Sequence, residues 1–372
     1  MPESVYYPGK KQPKTLLLGV YAPYNTTDNI DAYFQEFLNL STSNGLSTDF
    51  TLFVKIRTID PTYFITKGKL EQVADFCKQN NIEHVVISEQ LSPQQERNLG
   101  DYLNSTILDR TSLILEIFEK AAQSAEGKIQ VQMARLQYAK TRLAGHGIHY
   151  GQQTGARGQR SGFGETAKEK ERRHIENTIV KLKRQLERIT TTRHTQRKKR
   201  LNANIPLLCL IGYTNAGKST ILNILTKSAV LAEDKLFATL DTTTRSLFIE
   251  GENIGLLSDT VGFIQQLPHH LIKAFKSTLD ELQYAHLLLH VIDISDVNWE
   301  SHIKVVHDIL TELGIEKDML YIFNKADLAE NIDTLVNRLA LYQPHVIISA
   351  HSKEKIAPLP EFLFLWKKSL QA

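Results

Sequence analysis

A chain of 372 residues exceeds what one hydrophobic core ordinarily serves, and 42% apolar with 23% charged residues is the composition of a folded globular protein. No apolar run approaches the ~20 residues that span a bilayer, and Met1-Pro2-Glu3-Ser4 lacks a basic-then-apolar leader, so membrane insertion and export are not expected and a cytoplasmic location is. The net charge of +3 is uneven: residues 167–200 hold thirteen Lys or Arg against four Asp or Glu, a local +9 that leaves −6 elsewhere and points to a polyanionic partner.

The first 125 residues read as a small α/β domain. Strands are predicted over Thr15–Val20, Leu52–Arg57, His84–Ser88 and Thr106–Asp109, and helices over Lys67–Gln79 and Leu113–Ala122. Between them Ser92-Pro93-Gln94-Gln95 supplies an N-cap, a proline at the first helical position and a capping-box glutamine, which starts a helix running to about Leu103. Alternation of strands and helices predicts a parallel or mixed sheet. Cys77 and Cys209 both lie in apolar patterns without metal-ligand spacing, as expected of buried reduced thiols.

Residues 126–200 predict a basic antiparallel helical hairpin. Ile129, Met133, Leu136 and Leu143 mark its first helix; Ile175, Ile179, Leu182, Leu186 and Ile189, spaced four and three apart, give the second an apolar stripe. The tip, residues 145–164, holds seven glycines with His146, His149, Arg157 and Arg160, a composition that permits close backbone approach to phosphates or bases, or serves as a flexible connector.

From 201 to 372 the chemistry concentrates. The apolar run Ile205–Ile211 leads into Gly212-Tyr213-Thr214-Asn215-Ala216-Gly217-Lys218-Ser219, and a helical pattern begins at Thr220. Two glycines let a backbone wrap a polyphosphate, successive N–H groups and the helix start face the anion, Lys218 neutralises charge, and Ser219 offers a hydroxyl to Mg2+. Phe237-Ala238-Thr239-Leu240-Asp241 follows in a polar loop, where Thr239 is the chosen third magnesium ligand. Another apolar strand ends in Asp259-Thr260-Val261-Gly262; Asp259 suits the magnesium site and the Gly262 N–H a terminal phosphate. Lys218, Thr239 and Gly262 are therefore the candidate catalytic groups.

The base is read farther on. Met319–Phe323 is a buried-strand pattern ending in Asn324-Lys325-Ala326-Asp327, and the Asp327 carboxylate can accept the N1–H and 2-amino protons of guanine, donors that adenine lacks. Ser349-Ala350-His351, after a last strand at His345–Ile348, can present backbone N–H groups to the guanine carbonyl. GTP and GDP are thus the expected ligands. Many such enzymes orient the attacking water with a glutamine directly after the aspartate-to-glycine element; here that position is Phe263, which predicts slow unassisted hydrolysis. Asn215 occupies a loop position where K+ is a candidate cation.

Together these residues resemble the HflX family of ribosome-associated GTPases. The more specific echoes are Phe237-Ala238-Thr239-Leu240-Asp241, Asp259-Thr260-Val261-Gly262-Phe263-Ile264, Leu267-Pro268-His269, Leu91–Leu99, Asp109-Arg110-Thr111 and Gly162-Phe163-Gly164-Glu165-Thr166. The resemblance implies an α/β protein with an N-terminal α/β domain, a helical hairpin and a P-loop GTPase domain whose mostly parallel sheet is flanked by helices. It further implies a monomer that binds the large (50S) ribosomal subunit and its rRNA, is stimulated there to hydrolyse GTP, and splits or rescues stalled ribosomes. The tip departs from the family's run, with Phe163 where proline is expected and Ala167-Lys168 where glutamine and leucine are usual. Competing readings are an ATP-dependent RNA-remodelling factor and a GTP-switched regulatory protein without a ribosomal role.

Overall fold

The computed structural model describes all residues except 1–12, 26–28, 145–166, 203–204, 228–235, 238–239, 267, 269–270, 272–275, 330–331, 353 and 371–372. The glycine-rich tip and Thr239 therefore lie outside the described residues. The rest falls into two compact units, one drawn from Met1–Ile117 and Lys140–Gly162, the other from Phe118–Ala139 and Phe163–Ala372.

In the first unit, strands β1 (Thr15–Tyr21), β2 (Phe50–Lys55), β3 (His84–Ile87) and β4 (Thr106–Leu108) form one parallel sheet in the order β2-β1-β3-β4. Leu16, Leu17, Leu18 and Val20 of β1 are all fully buried, as a central parallel strand covered on both faces requires. Helices α1 (Ile30–Ser43), α2 (Lys67–Asn80) and α3 (Pro93–Leu103) belong to the same unit, as does α4 (Arg110–Ala121) up to Ile117. The capping box expected at Ser92 and Gln95 is present in both directions.

Sequence reading passed over α1, although Asn29 caps it by accepting the Ala32 N–H at 3.0 Å and Tyr33, Phe37 and Leu40 form its buried face. Helix α4 begins three residues earlier than predicted because Asp109 is its cap, its carboxylate accepting the Ser112 N–H at 2.8 Å.

The second unit contains a six-stranded sheet in the order β10-β9-β8-β5-β7-β6, built from β5 (Leu207–Gly212), β6 (Thr243–Ile249), β7 (Glu252–Asp259), β8 (Leu287–Asp293), β9 (Met319–Asn324) and β10 (His345–Ile347). Only the edge strand β6 runs antiparallel. Side chains of β5 alternate between two cores: Leu208 and Leu210 join Ile221, Leu222 and Val291, while Cys209 and Ile211 join Phe263, Leu282 and Leu288. Both cysteines are buried free thiols. Helices α7 (Lys218–Thr226), α8 (Lys276–Gln283), α9 (Trp299–Glu312), α10 (Ile332–Leu339) and α11 (Pro358–Ser369) complete this unit's α/β elements.

The two helices expected to form the hairpin are α5 (Ala125–Ala144) and α6 (Ala167–Asn202). On α6 the predicted stripe holds: Ile175 and Leu182 are buried and Ile179, Leu186 and Ile189 half-buried, between exposed Arg172, Arg173, Lys181, Lys183, Arg184 and Arg188. On α5 the buried face is Gly127, Gln130, Val131, Ala134 and Leu136; Ile129, Met133 and Leu143 are only half-buried. Heptad counting chose the large side chains and missed a face that includes small ones.

Candidate functional site

The site is assembled where the C-terminal ends of β5, β7 and β9 approach one another, the usual ligand edge of an open parallel sheet. Strand β5 ends at Gly212 and α7 opens at Lys218, so residues 213–217 are a short loop feeding a helix N-terminus. Asn215 (φ 62°) and Gly217 (φ 97°) both take left-handed conformations, which turn successive N–H groups to one side. At Gly217 a Cβ would fall 2.3 Å from the Asn324 amide nitrogen, so both backbone and space exclude a side chain there.

Asn324 fastens the loop to the end of β9 and to the segment after β10. Its Nδ2 donates to the Ala216 carbonyl at 2.9 Å, and its Oδ1 accepts the Ala350 N–H at 3.0 Å, with the side chain 1% exposed. One amide thereby joins the phosphate loop, the end of β9 and the Ser349-Ala350-His351 segment. Lys325, also left-handed, pairs with Asp293 at 2.6 Å. Asp327 is exposed, and the neighbouring Ser349 hydroxyl holds its carboxyl below the usual range. Ser349 is buried, and His351 is exposed on the same segment.

At the phosphate end, Lys218 is 6% exposed, and its ammonium donates to the carbonyls of Tyr213 (2.7 Å) and Gly212 (3.2 Å). Burial lowers its pKa to about 8, against the pull of Asp259 in the other direction. The Ser219 hydroxyl donates to the fully buried Asp259 carboxylate at 2.6 Å. A hydroxyl beside a carboxylate is a hard oxygen donor pair suited to Mg2+, which takes few protein ligands and completes its shell with phosphate and water. Among the described residues no cluster of three or more His, Cys, Asp or Glu could hold a metal ion by itself. Thr220, on the first turn of α7, is half-buried.

The segment after β7 is sewn to the loop. Thr214 N–H donates to the Phe263 carbonyl (2.8 Å), Phe263 N–H to the Gly212 carbonyl (3.2 Å), and Gln265 N–H to the Tyr213 hydroxyl (2.7 Å). The Tyr213 ring stacks on His302 of α9, centroids 3.9 Å apart and planes at 11°. A Cβ on Gly262 would lie 2.9 Å from the Thr214 Cα and 3.0 Å from the Lys218 ammonium. Phe263 is 1% exposed and packs with Cys209, Ile211 and Leu282, so its ring is core. Val261 is buried, and the buried Thr260 hydroxyl donates to the Leu210 carbonyl (2.6 Å), tying β7 to β5.

The loop 236–241 is described in part. Phe237 and Leu240 are buried, Ala238 and Thr239 lie outside the described residues, and the Asp241 carboxylate accepts hydrogen bonds from Gln123 and Ser124. Sequence reading missed Ser124, His302 and His290. The last is a 1% exposed histidine on β8 whose pKa burial drives down to about 3. No local motif surrounds any of the three; each is reached only through the tertiary fold.

Comparison with known proteins agrees with this geometry. Residues 31–119 match a family described as GTP-binding GTPase N-terminal, 121–200 one described as GTP-binding GTPase Middle Region, and 207–325 one described as 50S ribosome-binding GTPase. The chain is 41% identical over 347 residues to the GTPase HflX of Magnetococcus marinus, covering 93% of this chain and 80% of that protein. It is 40% identical over 316 residues to the GTPase HflX of Escherichia coli K12, covering 85% and 74%. Its fold is similar to that of the crystal structure of an SsGBP and GDP complex, with a TM-score of 0.54 at 24% identity over 96% of this chain and 100% of that one. With a left-handed strand-to-helix loop, an Asn-Lys-Ala-Asp segment and a hydroxyl–carboxylate pair at one sheet edge, and relatives of this identity over most of its length, the chain belongs to the GTPase HflX family and is a GTP-binding, GTP-hydrolysing enzyme.

Proposed function

We propose that this GTPase acts on the large ribosomal subunit, contacts its rRNA through the basic helical arm, and splits or rescues stalled ribosomes in the cytoplasm. The domains would then be residues 1–125, the arm 126–200 and the GTPase domain 201–372. The observation that carries this reading is the row of exposed basic side chains on α6, set beside a match to the 50S ribosome-binding GTPase family. Each phosphate neutralised by such a row releases condensed counterions, giving salt-dependent affinity without base sequence preference. No helix among the described residues is long and apolar enough to cross a membrane.

At the nucleotide, the N–H groups of residues 213–219 and the start of α7 cradle the β-phosphate, and Lys218 exchanges its carbonyl contacts for phosphate oxygens. Ser219 and Asp259, with Thr239, would hold Mg2+, which when bound offsets charge on the β- and γ-phosphates. Gly262 N–H reads the γ-phosphate and the Asp327 carboxylate accepts the guanine N1–H and 2-amino protons, while Asn324, engaged with Ala216 and Ala350, holds the two loops in place around the base. Phe263 is packed into the core, so the attacking water is oriented by another group; unassisted hydrolysis is slow and the ribosome supplies the missing contribution. Asn215 is the residue that would ligate K+ beside the phosphates.

The test is GTP hydrolysis with and without purified large subunits, on the wild-type chain and on a variant with Arg172, Arg173, Arg184 and Arg188 changed to Glu. Strong stimulation of the first and loss of stimulation in the second, with GTP affinity preserved, is expected. Equal rates with and without subunits would refute the ribosomal role.

A further inference from the structure

We propose that the Thr214 hydroxyl is a further catalytic group of the GTPase site: it holds the attacking water at the γ-phosphate, a task that the Phe263 ring cannot perform. The inference rests on the reading of Lys218 and Gly262 as the groups that meet the γ-phosphate.

Thr214 lies in the loop between β5 and α7 and is 6% exposed. Its N–H donates to the Phe263 carbonyl at 2.8 Å, and the adjacent Tyr213 forms a parallel bridge with Phe263, so its backbone is fixed against the segment after β7. The Thr214 hydroxyl has no hydrogen-bond partner among the described residues. A hydroxyl is both donor and acceptor, and burying one unpaired is unfavourable, so a side chain kept in that condition is expected to find its partner in a ligand.

Its position identifies the ligand. The point that a Cβ on Gly262 would occupy is approached by the Thr214 methyl (2.8 Å) and Cα (2.9 Å) and by the Lys218 ammonium (3.0 Å). Thr214 thus shares one small volume with both groups assigned to the γ-phosphate. Methyl and hydroxyl stand on the same Cβ, and with the methyl against Gly262 a β-branched side chain has little freedom to turn. Other hydroxyls of the loop and of β7 are already engaged: that of Ser219 with Asp259, that of Thr260 with the Leu210 carbonyl and that of Tyr213 with the Gln265 N–H. Phe263 brings no polar group, and its ring is core.

In hydrolysis the water oxygen bonds to the γ-phosphorus while the bond from that phosphorus to the β–γ bridging oxygen breaks. The electron pair of the broken bond leaves on GDP, and the water protons pass to the released phosphate. A threonine hydroxyl is too weak a base to take a proton from water at neutral pH, so its part is orientation. It accepts one water O–H, which turns a water lone pair toward phosphorus, and it donates its own hydrogen to a γ-phosphate oxygen, where charge accumulates. GDP has no γ-phosphate, so its affinity does not depend on this hydroxyl.

GTP hydrolysis by the full chain, measured as kcat and KM, tests this on the wild type, Thr214→Val and Thr214→Ser, with GDP affinity taken by calorimetry on the same samples. Valine keeps the shape and the branch but loses the hydroxyl; serine keeps the hydroxyl. In Thr214→Val, kcat should fall at least about tenfold while KM and GDP affinity stay within about threefold of wild type, and Thr214→Ser should keep kcat within about threefold. GDP with aluminium fluoride, which imitates the phosphoryl group in transfer, should bind the valine variant more weakly by about the factor lost in kcat. A valine variant as fast as wild type, or one whose KM rises with kcat unchanged, would overturn the assignment and leave the nucleotide site standing. Equal slowing of the valine and serine variants would make the methyl's packing the cause and overturn it as well. If calorimetry shows no guanine nucleotide bound to the wild type, the reading of the site falls and Thr214 with it.

Discussion

Replacing Asn324 by alanine should disconnect the phosphate loop from the base-reading segments. The side chain is 1% exposed and makes two hydrogen bonds, to the Ala216 carbonyl and from the Ala350 N–H. Orphaning a buried donor or acceptor costs about 1–3 kcal/mol, so the pair is worth about 2–6 kcal/mol. Without nucleotide the two loops can turn their freed groups toward water and recover part of that. Guanine nucleotide must then restore their spacing, and much of the cost appears as lost affinity. About 3 kcal/mol on that side corresponds to roughly a hundredfold weaker GDP binding. Isothermal titration calorimetry measures this directly, and thermal unfolding reports the remainder. Asn324→Asp is the sharper control, because it keeps an acceptor for Ala350 but sets a carboxylate oxygen against the Ala216 carbonyl; it should bind no better than the alanine variant. GDP affinity within threefold of wild type in Asn324→Ala would mean that this amide does not couple the two loops.

His290 should destabilise the protein in acid. The unfolded chain protonates this histidine near its ordinary pKa of 6.5, while burial keeps the folded form neutral until about pH 3, so the unfolded state holds more protons between those values and stability falls with pH. At pH 5 the contribution is roughly 2 kcal/mol, and His290→Phe should shrink the stability difference between pH 7 and pH 5 by about that much in urea unfolding; parallel wild-type and variant profiles would contradict it. Potassium should accelerate GTP hydrolysis relative to sodium, and Asn215→Ala should remove the difference; equal rates in both salts would end the cation assignment.

Local signals in this chain were legible where they were short-range. The capping box at Ser92 and Gln95, the strand-to-helix loop at 212–219 and the apolar stripe on α6 are each defined within a few residues. Helix α1 escaped because its apolar spacing, at Tyr33, Phe37 and Leu40, is brief and its cap is an unremarked Asn29. The buried face of α5 escaped because Gly127, Gln130 and Ala134 carry no hydrophobic signature; what buries them is tertiary packing. In the site, residue types suggest which groups would face a nucleotide but not what holds them. That Asn324 bonds to Ala216 and Ala350, that Tyr213 lies on His302, and that Asp241 reaches Ser124 are facts of distance between segments far apart in the chain.

Residues 205–351 are expected to form a pocket selective for guanine, with Asp327 as the reader of the base. Calorimetric titration of the wild-type chain and of Asp327→Asn with GTP, ATP and xanthosine triphosphate, all with Mg2+, tests it most directly. The wild type should prefer GTP to ATP by about a thousandfold or more, because adenine leaves a carboxylate without its two donors. The asparagine variant, which offers an N–H in place of one carboxylate oxygen, should lose GTP and gain the xanthine nucleotide. Equal binding of GTP and ATP by the wild type would mean that Asp327 does not select the base.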